Sequence, residues 1–317
     1  MLDTRYSIYE RLRFAKAKQG RRATSTSHEI VQTKRQIQEL LTATGVQPNK
    51  RFGQHFLIDL NLMRLLIESA NISSNDVVLE VGCATGSLTE SLVQRAGKVI
   101  AVELDKILVE IAKKQLAKVE NVEFLNVDIL ENKNTINQTV IEAIKKAHKK
   151  QSGRILLVAN LPYNVASPVM VNLVKGPTIV DGMFVTVQKE VADRMTAVPG
   201  RSDYGILSIF LHATGDVKKI RVLKPTVFWP QPQVDSAMVS FRRDLDKSAR
   251  IADMELFGRI VNLFMSHRRK TLLASSRLAR GEFMKNWPEI LKKCSINPQK
   301  RPEQLNAEDY ITITNEL

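Results

Sequence analysis

The strongest constraint on this chain is an alternation of short apolar runs with longer segments of helical spacing, sustained from Leu60 to Val187. The runs Val77–Val81, Lys98–Val102, Val122–Asn126, Arg154–Ala159 and Gly182–Val187 have the length and β-branched content of buried strands. Between them lie the helix candidates Leu60–Ala70, Ser87–Arg95, Lys106–Leu116, Thr135–Lys149 and Pro168–Lys175. Strands separated by helices rather than tight turns predict parallel pairing through crossovers, so the expected class is α/β with a doubly wound, mostly parallel sheet. A helix near Lys189–Ala197 follows, then three further strand candidates, Leu207–Ala213, Lys218–Leu223 and Ala237–Arg242. The last two read as an antiparallel pair closing the sheet. Past Arg243 the pattern is helical, broken at Pro288, Pro298 and Pro302. On the amino-terminal side, Thr26-Ser27-His28-Glu29 reads as a capping box opening a helix with Ile30, Ile37 and Leu41 on one face and a stop at Gly45.

Charge divides the chain the same way. The formal net charge is +14, of which residues 1–51 hold +7, residues 242–317 hold +5 and the middle only +2. Basic flanks around a nearly neutral centre fit a phosphate-backbone partner, although a solvated basic surface gives the same balance. The expected organisation is a basic arm at 1–25, a main domain at 26–245 and a helical, RNA-binding domain at 246–317. No apolar run reaches the roughly 18 residues of a membrane helix, so no membrane partner is expected. Cys83 and Cys294 are the only cysteines and the five histidines form no H-x-x-x-H pair, which excludes a disulfide framework and points to no metal site. These features fit a reducing cytoplasm. The amino terminus lacks the apolar region of a secretory signal; its arginines and the hydroxyls of Thr24–Ser27 also suit an organellar address, against which Asp3 and Glu10 count.

Ligands of doubly wound sheets sit outside the carboxyl ends of the strands, and four features fall there. The stretch Glu80-Val81-Gly82-Cys83-Ala84-Thr85-Gly86 runs from a strand through a small-residue loop into a helix. Glu103 ends the second strand, where an acid can accept both hydroxyls of a ribose. Asp128 follows the third strand, within reach of an adenine amino group. Asn160-Leu161-Pro162-Tyr163 leaves the fourth, presenting an amide, a proline and a ring to a planar base. Taken singly, the loop is equally a tight turn, Glu103 or Asp128 a solvated acid, and Asn160 an Asx-turn. A dinucleotide enzyme competes, but G-C-A-T-G is not G-x-G-x-x-G and offers no pyrophosphate cradle. S-adenosyl-L-methionine has ribose and adenine without phosphate, and fits better.

Several strings in order resemble one family. Arg51-Phe52-Gly53-Gln54-His55-Phe56-Leu57, the Glu80–Thr89 loop, Asn160–Tyr163, Val187–Val191, Tyr204–Ser208 and Phe228-Trp229-Pro230-Gln231-Pro232-Gln233-Val234-Asp235-Ser236 look like the ribosomal RNA adenine dimethyltransferases. His267-Arg268-Arg269-Lys270-Thr271-Leu272 resembles the small-subunit branch. The resemblance runs from about Lys34 to the end and excludes residues 1–25. It implies a Rossmann-like class I methyltransferase domain on a seven-stranded sheet and a small all-helical carboxyl-terminal domain. The implied reaction is dimethylation of two adjacent adenosines near the 3′ end of small-subunit rRNA. The implied partner is that rRNA within an immature ribosomal subunit, with the protein a monomer off the ribosome. By the same resemblance Gln54, His55 and Leu57 close over the cofactor, Glu80 and Gly82 line its methionine side, Glu103 holds the ribose, and Asp128 with Ile129 holds the adenine. Ala84 stands where many relatives carry glycine, and its methyl is tolerable if the local φ is negative.

The residues suggest how an exocyclic amine would be handled. The side-chain oxygen of Asn160, which also borders the cofactor, and the carbonyl of Leu161 accept its two hydrogens. Pro162 fixes the turn, and Tyr163 and Phe228 offer the two stacking faces. Arg268, Arg269, Lys270 and Arg277, with Arg280, are expected to face phosphates. Three other readings stay open: a large-subunit adenine methylase of the resistance type, an assembly factor acting mainly by binding, and, more distantly, a dinucleotide oxidoreductase.

Overall fold

The computed structural model describes residues 32–48, 53–176 and 180–317. The basic arm at 1–25, the expected capping box Thr26–Glu29, Ile30, and Arg51 and Phe52 lie outside them. The first described helix, α1 (Lys34–Thr44), has its own capping box: the Thr33 hydroxyl accepts from the Gln36 N–H, and the Gln36 side chain accepts from the Thr33 N–H. Gly45 in the left-handed conformation ends it.

The central sheet is seven-stranded. Its strands are β2 (Val77–Val81), β3 (Lys98–Val102), β4 (Val122–Leu125), β7 (Ile155–Asn160), β8 (Gly182–Gln188), β9 (Gly215–Leu223) and β11 (Ser236–Arg243). Two short pairs flank it: β1 (Phe56–Leu57) with β10 (Phe228–Trp229), and β5 (Leu130–Asn132) with β6 (Thr135–Ile136). The order across the sheet is β4-β3-β2-β7-β8-β11-β9. The first five strands are mutually parallel, and β11 pairs antiparallel with both β8 and β9, closing one side as the strand pattern suggests. Crossovers are α2 (Leu60–Ala70), α3 (Ser87–Val93), α4 (Lys106–Gln115), α5 (Gln138–His148) and α6 (Ala166–Lys175), followed by α7 (Lys189–Met195). The chain moves outward from β2 to β4 and then returns to β7 beside β2. That reversal opens a crevice at the carboxyl ends of β2 and β7, where this architecture binds ligands.

Two expected elements differ. Leu207–Ala213 is not a strand but the body of α8 (Ile206–Thr214), flanked by Gly205 and Gly215. Seven of its nine residues are buried, so its sequence is apolar on every side and carries no period that separates a buried helix from a buried strand. The second difference is at Thr135: Thr135 and Ile136 pair with β5, and the helix begins only after Asn137, whose side chain accepts from the Thr139 N–H.

The carboxyl-terminal helices are α9 (Leu245–Ala249), α10 (Met254–Met265), α11 (Leu272–Ser276), α12 (Trp287–Lys293) and α13 (Ala307–Asn315). They share one apolar core with the sheet through α8: Phe210 meets Phe257 of α10 edge-on at 5.3 Å, and Tyr310 of α13 is fully buried in the same cluster. A second apolar cluster fills the other face beneath α2 and α3. None of the described helices is long and apolar enough to cross a membrane.

Candidate active site

The loop after β2 is shaped by backbone conformations that few residues adopt. Gly82 has φ +79°, and a Cβ there would stand 3.0 Å from Cγ of Pro162. Glycine therefore lets the loops after β2 and β7 touch. Ala84 has φ +51°, so the condition under which its methyl would be innocuous, a negative φ, is not met. A left-handed alanine is strained by roughly 1–2 kcal/mol. Ala84→Gly is expected to raise stability by about 1 kcal/mol, less what the methyl contributes by packing, as read from urea unfolding.

Two buried acids flank this loop. Glu80 is 2% exposed and accepts from the Thr89 hydroxyl at 2.6 Å. Burial, opposed by that hydrogen bond and helped by the nearby Glu103 charge, lifts its carboxyl to about 8. Glu103 is 7% exposed; one oxygen accepts from the Ala84 N–H at 3.0 Å and the other from the Asp105 N–H at 2.9 Å. Burial raises its pKa too, against the lowering by those backbone bonds. Cys83 between them is pushed well above an ordinary thiol by burial and both carboxylates, which leaves it a poor nucleophile. Because Glu80 keeps its proton in the folded chain to about pH 8 and in the unfolded chain only to about 4.5, it favours folding most at acid pH. Its contribution is lost as pH rises between those values, on the order of several kcal/mol. Urea titrations at pH 5, 7 and 9 should show Glu80→Gln relieving that loss, with the gain over wild type growing to pH 8 and then level.

These groups line one hollow. Gln54, His55 and Leu57 border it with Glu80, Gly82, Glu103, Asn160 and Pro162, around about 710 Å³ of space. An adjoining hollow of about 480 Å³ shares Gly82, Glu103 and Pro162 and adds Asp128 and Ile129. All nine residues read as cofactor-binding from the sequence thus border a single divided cleft. Asp128 also accepts from the Leu130 N–H at 2.9 Å, and the Gln54 amide reaches Asp105 at 3.3 Å. Ile37 of α1, Thr85, Ser87 and Leu88 line the cleft as well and were not singled out from sequence. Ser87 is a small helix-start residue, and Ile37 reads as core, so neither carries a signal of its own.

The acceptor side centres on Asn160. Its amide nitrogen donates to the His55 carbonyl at 2.7 Å, which fixes the amide orientation because a carbonyl can only accept. The Asn160 Oδ1 is left buried without a hydrogen-bond partner, as is Oγ of Ser87 in the lining of the same hollow. Of the seven such atoms among the described residues these two border the hollow, where a ligand can complete the bonding. Leu161 anchors the turn through its N–H to the Thr186 carbonyl at 3.0 Å. Tyr163 shares a 2.6 Å hydrogen bond between its hydroxyl and Oγ of Ser236, and its ring stacks on His55 at 5.3 Å. His55 in turn donates from Nδ1 to the Pro230 carbonyl at 2.7 Å, tying the Phe228–Ser236 string to the site.

Phe228 is not brought to the cleft. It is 1% exposed within the apolar cluster under α2, while its neighbour Trp229 faces outward onto Phe56 at 5.9 Å. Alternation along β10 sends adjacent side chains to opposite faces, so only one of the two can be near solvent. The ring next to Tyr163 is His55 instead. The basic residues 267–270 form the turn between α10 and α11 rather than a helix face. Arg268 is held there by Glu303 at 2.8 Å and the Ser202 carbonyl at 3.1 Å, so its guanidinium is already engaged; Arg269, Lys270, Arg277 and Arg280 are exposed.

Residues 45–317 match the ribosomal RNA adenine dimethylase family. The chain is 34% identical over 290 residues to a ribosomal RNA small subunit methyltransferase A of Geobacillus sp. (strain WCH70), covering 90% of this chain and 97% of that one. Against the protein of the same name from Bacillus mycoides (strain KBAB4) the identity is 33%, with the same coverage. Among solved structures, a dimethyladenosine transferase from Plasmodium falciparum superposes with a TM-score of 0.65 at 24% identity, over 80% of this chain and 94% of that one. The 23S rRNA methyltransferase ErmE gives 0.55 at 22% identity, over 83% and 99%. At those identities the two structures speak for the shared fold alone. The family match takes in the loop after β2, the Asn160 turn and the carboxyl-terminal helices together, and this chain belongs to the ribosomal RNA adenine dimethylase family.

Proposed function

We propose that this protein dimethylates the exocyclic amines of two adjacent adenosines near the 3′ end of small-subunit rRNA, using S-adenosyl-L-methionine. The observation that carries the reading is the orphaned Oδ1 of Asn160, facing a cleft whose other walls are the acids Glu80, Glu103 and Asp128. The cleft suits that cofactor: carboxylates for hydroxyls and amines, and glycine for close backbone approach at Gly82. Glu103 would hold the ribose, Asp128 and Ile129 the adenine, and Gln54, His55, Leu57, Glu80 and Gly82 the remainder. When bound, the cofactor supplies a methyl group on a positively charged sulfur, a good leaving group.

The residues of the chain then supply position and electrostatics. Asn160 Oδ1 accepts one amine hydrogen and the Leu161 carbonyl the other, which draws the nitrogen lone pair out of the ring plane. His55 holds Asn160 in that orientation through its carbonyl. Tyr163 presents a ring face to the adenine, worth about 1–3 kcal/mol, once the base is splayed out of its helix and takes the place next to His55. The methylated nitrogen is acidic enough to lose its proton to solvent, so no strong base is required. Arg269, Lys270 and Arg277, in the helical part at 246–317, would contact RNA phosphates, and the main catalytic part would be 26–245. The protein acts as a monomer in the cytoplasm on an immature ribosomal subunit.

The deciding experiment incubates the protein with labelled S-adenosylmethionine and undermethylated small subunits, large subunits or naked RNA, followed by nucleoside identification. Dimethyladenosine in the small-subunit sample is the expected result. Its absence there, or its appearance only in large subunits, would overturn the assignment.

A further inference from the structure

Helix α1 is tied to the loop after β2 by a buried polar pair. The Gln32 side-chain nitrogen donates to the Thr85 carbonyl at 3.1 Å, and the Thr85 hydroxyl donates to Gln32 Oε1 at 2.7 Å. Gln32 is 5% exposed and Thr85 1%, and 53 residues separate them in sequence. Gln32 immediately precedes Thr33, the cap of α1, so the pair grips the helix at its first turn. Ile37, one turn further on and fully buried, forms part of the cleft wall together with Thr85 and Ala84.

We propose that Gln32 and Thr85 are positioning residues for cofactor binding, a latch that sets the register of α1 over the cleft and holds the left-handed Ala84 turn in place. The argument is one of specificity. The apolar face of α1, Ile37, Leu40 and Leu41, packs on Phe56, Leu108 and Ile111, and such contacts tolerate a slide or rotation. A buried amide and hydroxyl do not, because any other register leaves both unsatisfied at substantial cost. The latch also works on the loop itself. Ala84 is held by its N–H to Glu103, and Thr85, the next residue, is held by Gln32. The carboxylate that would take the ribose and the helix that walls the cleft thus grip adjacent residues of one strained turn, at Ala84 φ +51°. Losing the latch lets Ile37 retreat and the turn relax, which weakens cofactor binding without touching the acceptor side.

This rests on the cofactor reading above, and the test separates the two. Titration calorimetry with S-adenosylhomocysteine would compare the full-length wild type with Gln32→Ala, Thr85→Val, their double variant, Thr85→Ser and Gln32→Met. The last nearly keeps the volume but can neither donate to the Thr85 carbonyl nor replace the Gln32 amide oxygen, so it probes the latch even if Gln32→Ala folds poorly. Each single loss, Gln32→Met included, should weaken binding about tenfold, as expected for a buried hydrogen-bonded pair. The double variant should be no weaker than the worse single, because the pair acts as a unit. Thr85→Ser should match wild type, and kcat at saturating cofactor should stay within about twofold. Lower melting temperatures with unchanged cofactor affinity, or effects of the two singles that simply multiply, would overturn the latch. Failure of the wild type to bind S-adenosylhomocysteine would overturn the cofactor reading itself, and the latch with it.

Discussion

Asn160→Ala should lower kcat by about 10²–10³-fold, the loss typical of removing one preorganised polar contact to a reacting group. The Oδ1 of Asn160 is buried with no partner while its amide nitrogen is committed to the His55 carbonyl, so the oxygen is aimed before any acceptor arrives. The turn cannot adjust to compensate, since the Leu161 N–H is fixed on the Thr186 carbonyl and Pro162 abuts Gly82. Cofactor affinity should change by no more than a few-fold, because the cofactor acids belong to other strands. Single-turnover methylation and calorimetry on the same variant check both halves. An affinity loss as large as the rate loss would move Asn160 from the acceptor to the cofactor.

Glu103→Ala should have the largest effect on cofactor binding. Two charge-assisted hydrogen bonds to vicinal hydroxyls are together worth about 3–6 kcal/mol, so affinity should fall by roughly 10²–10⁴-fold. Stability should move much less, because two opposing changes accompany the substitution. The Ala84 and Asp105 N–H groups lose their acceptor, while a carboxylate whose pKa burial has raised no longer has to be accommodated. Calorimetry with S-adenosylhomocysteine reads the first effect and thermal melting the second. A loss below tenfold would mean that the ribose is held elsewhere in the cleft.

Much of the fold was legible because its signals are local. The helix over Leu60–Ala70 and the strands Val77–Val81 and Lys98–Val102 lie where their spacing and β-branched content put them. The antiparallel closure by β9 and β11 was legible too. Leu207–Ala213 was not, because a segment buried on all sides has no polar face to reveal its period. The same distinction runs through the site. Gly82, Glu80, Glu103, Asp128 and Asn160 are chemical types at strand ends, and the architecture alone carries them to one cleft. Phe228 could be recognised as an aromatic within a motif, but which of Phe228 and Trp229 faces the interior depends on the pairing of β10 with β1.

The sequence by itself determined most of the strands and helices along the chain, the family, and the acids and amide that border the cleft. Each of these is written in residue type and spacing along the chain. Only the tertiary structure decided that Ala84 is left-handed, that Arg268 is taken up by Glu303, that His55 rather than Phe228 lies against Tyr163, and that Gln32 locks onto Thr85. Each of those depends on a partner brought close by the packing of whole elements. A side chain's conformation and hydrogen-bond state are properties of that neighbourhood, which no local pattern encodes.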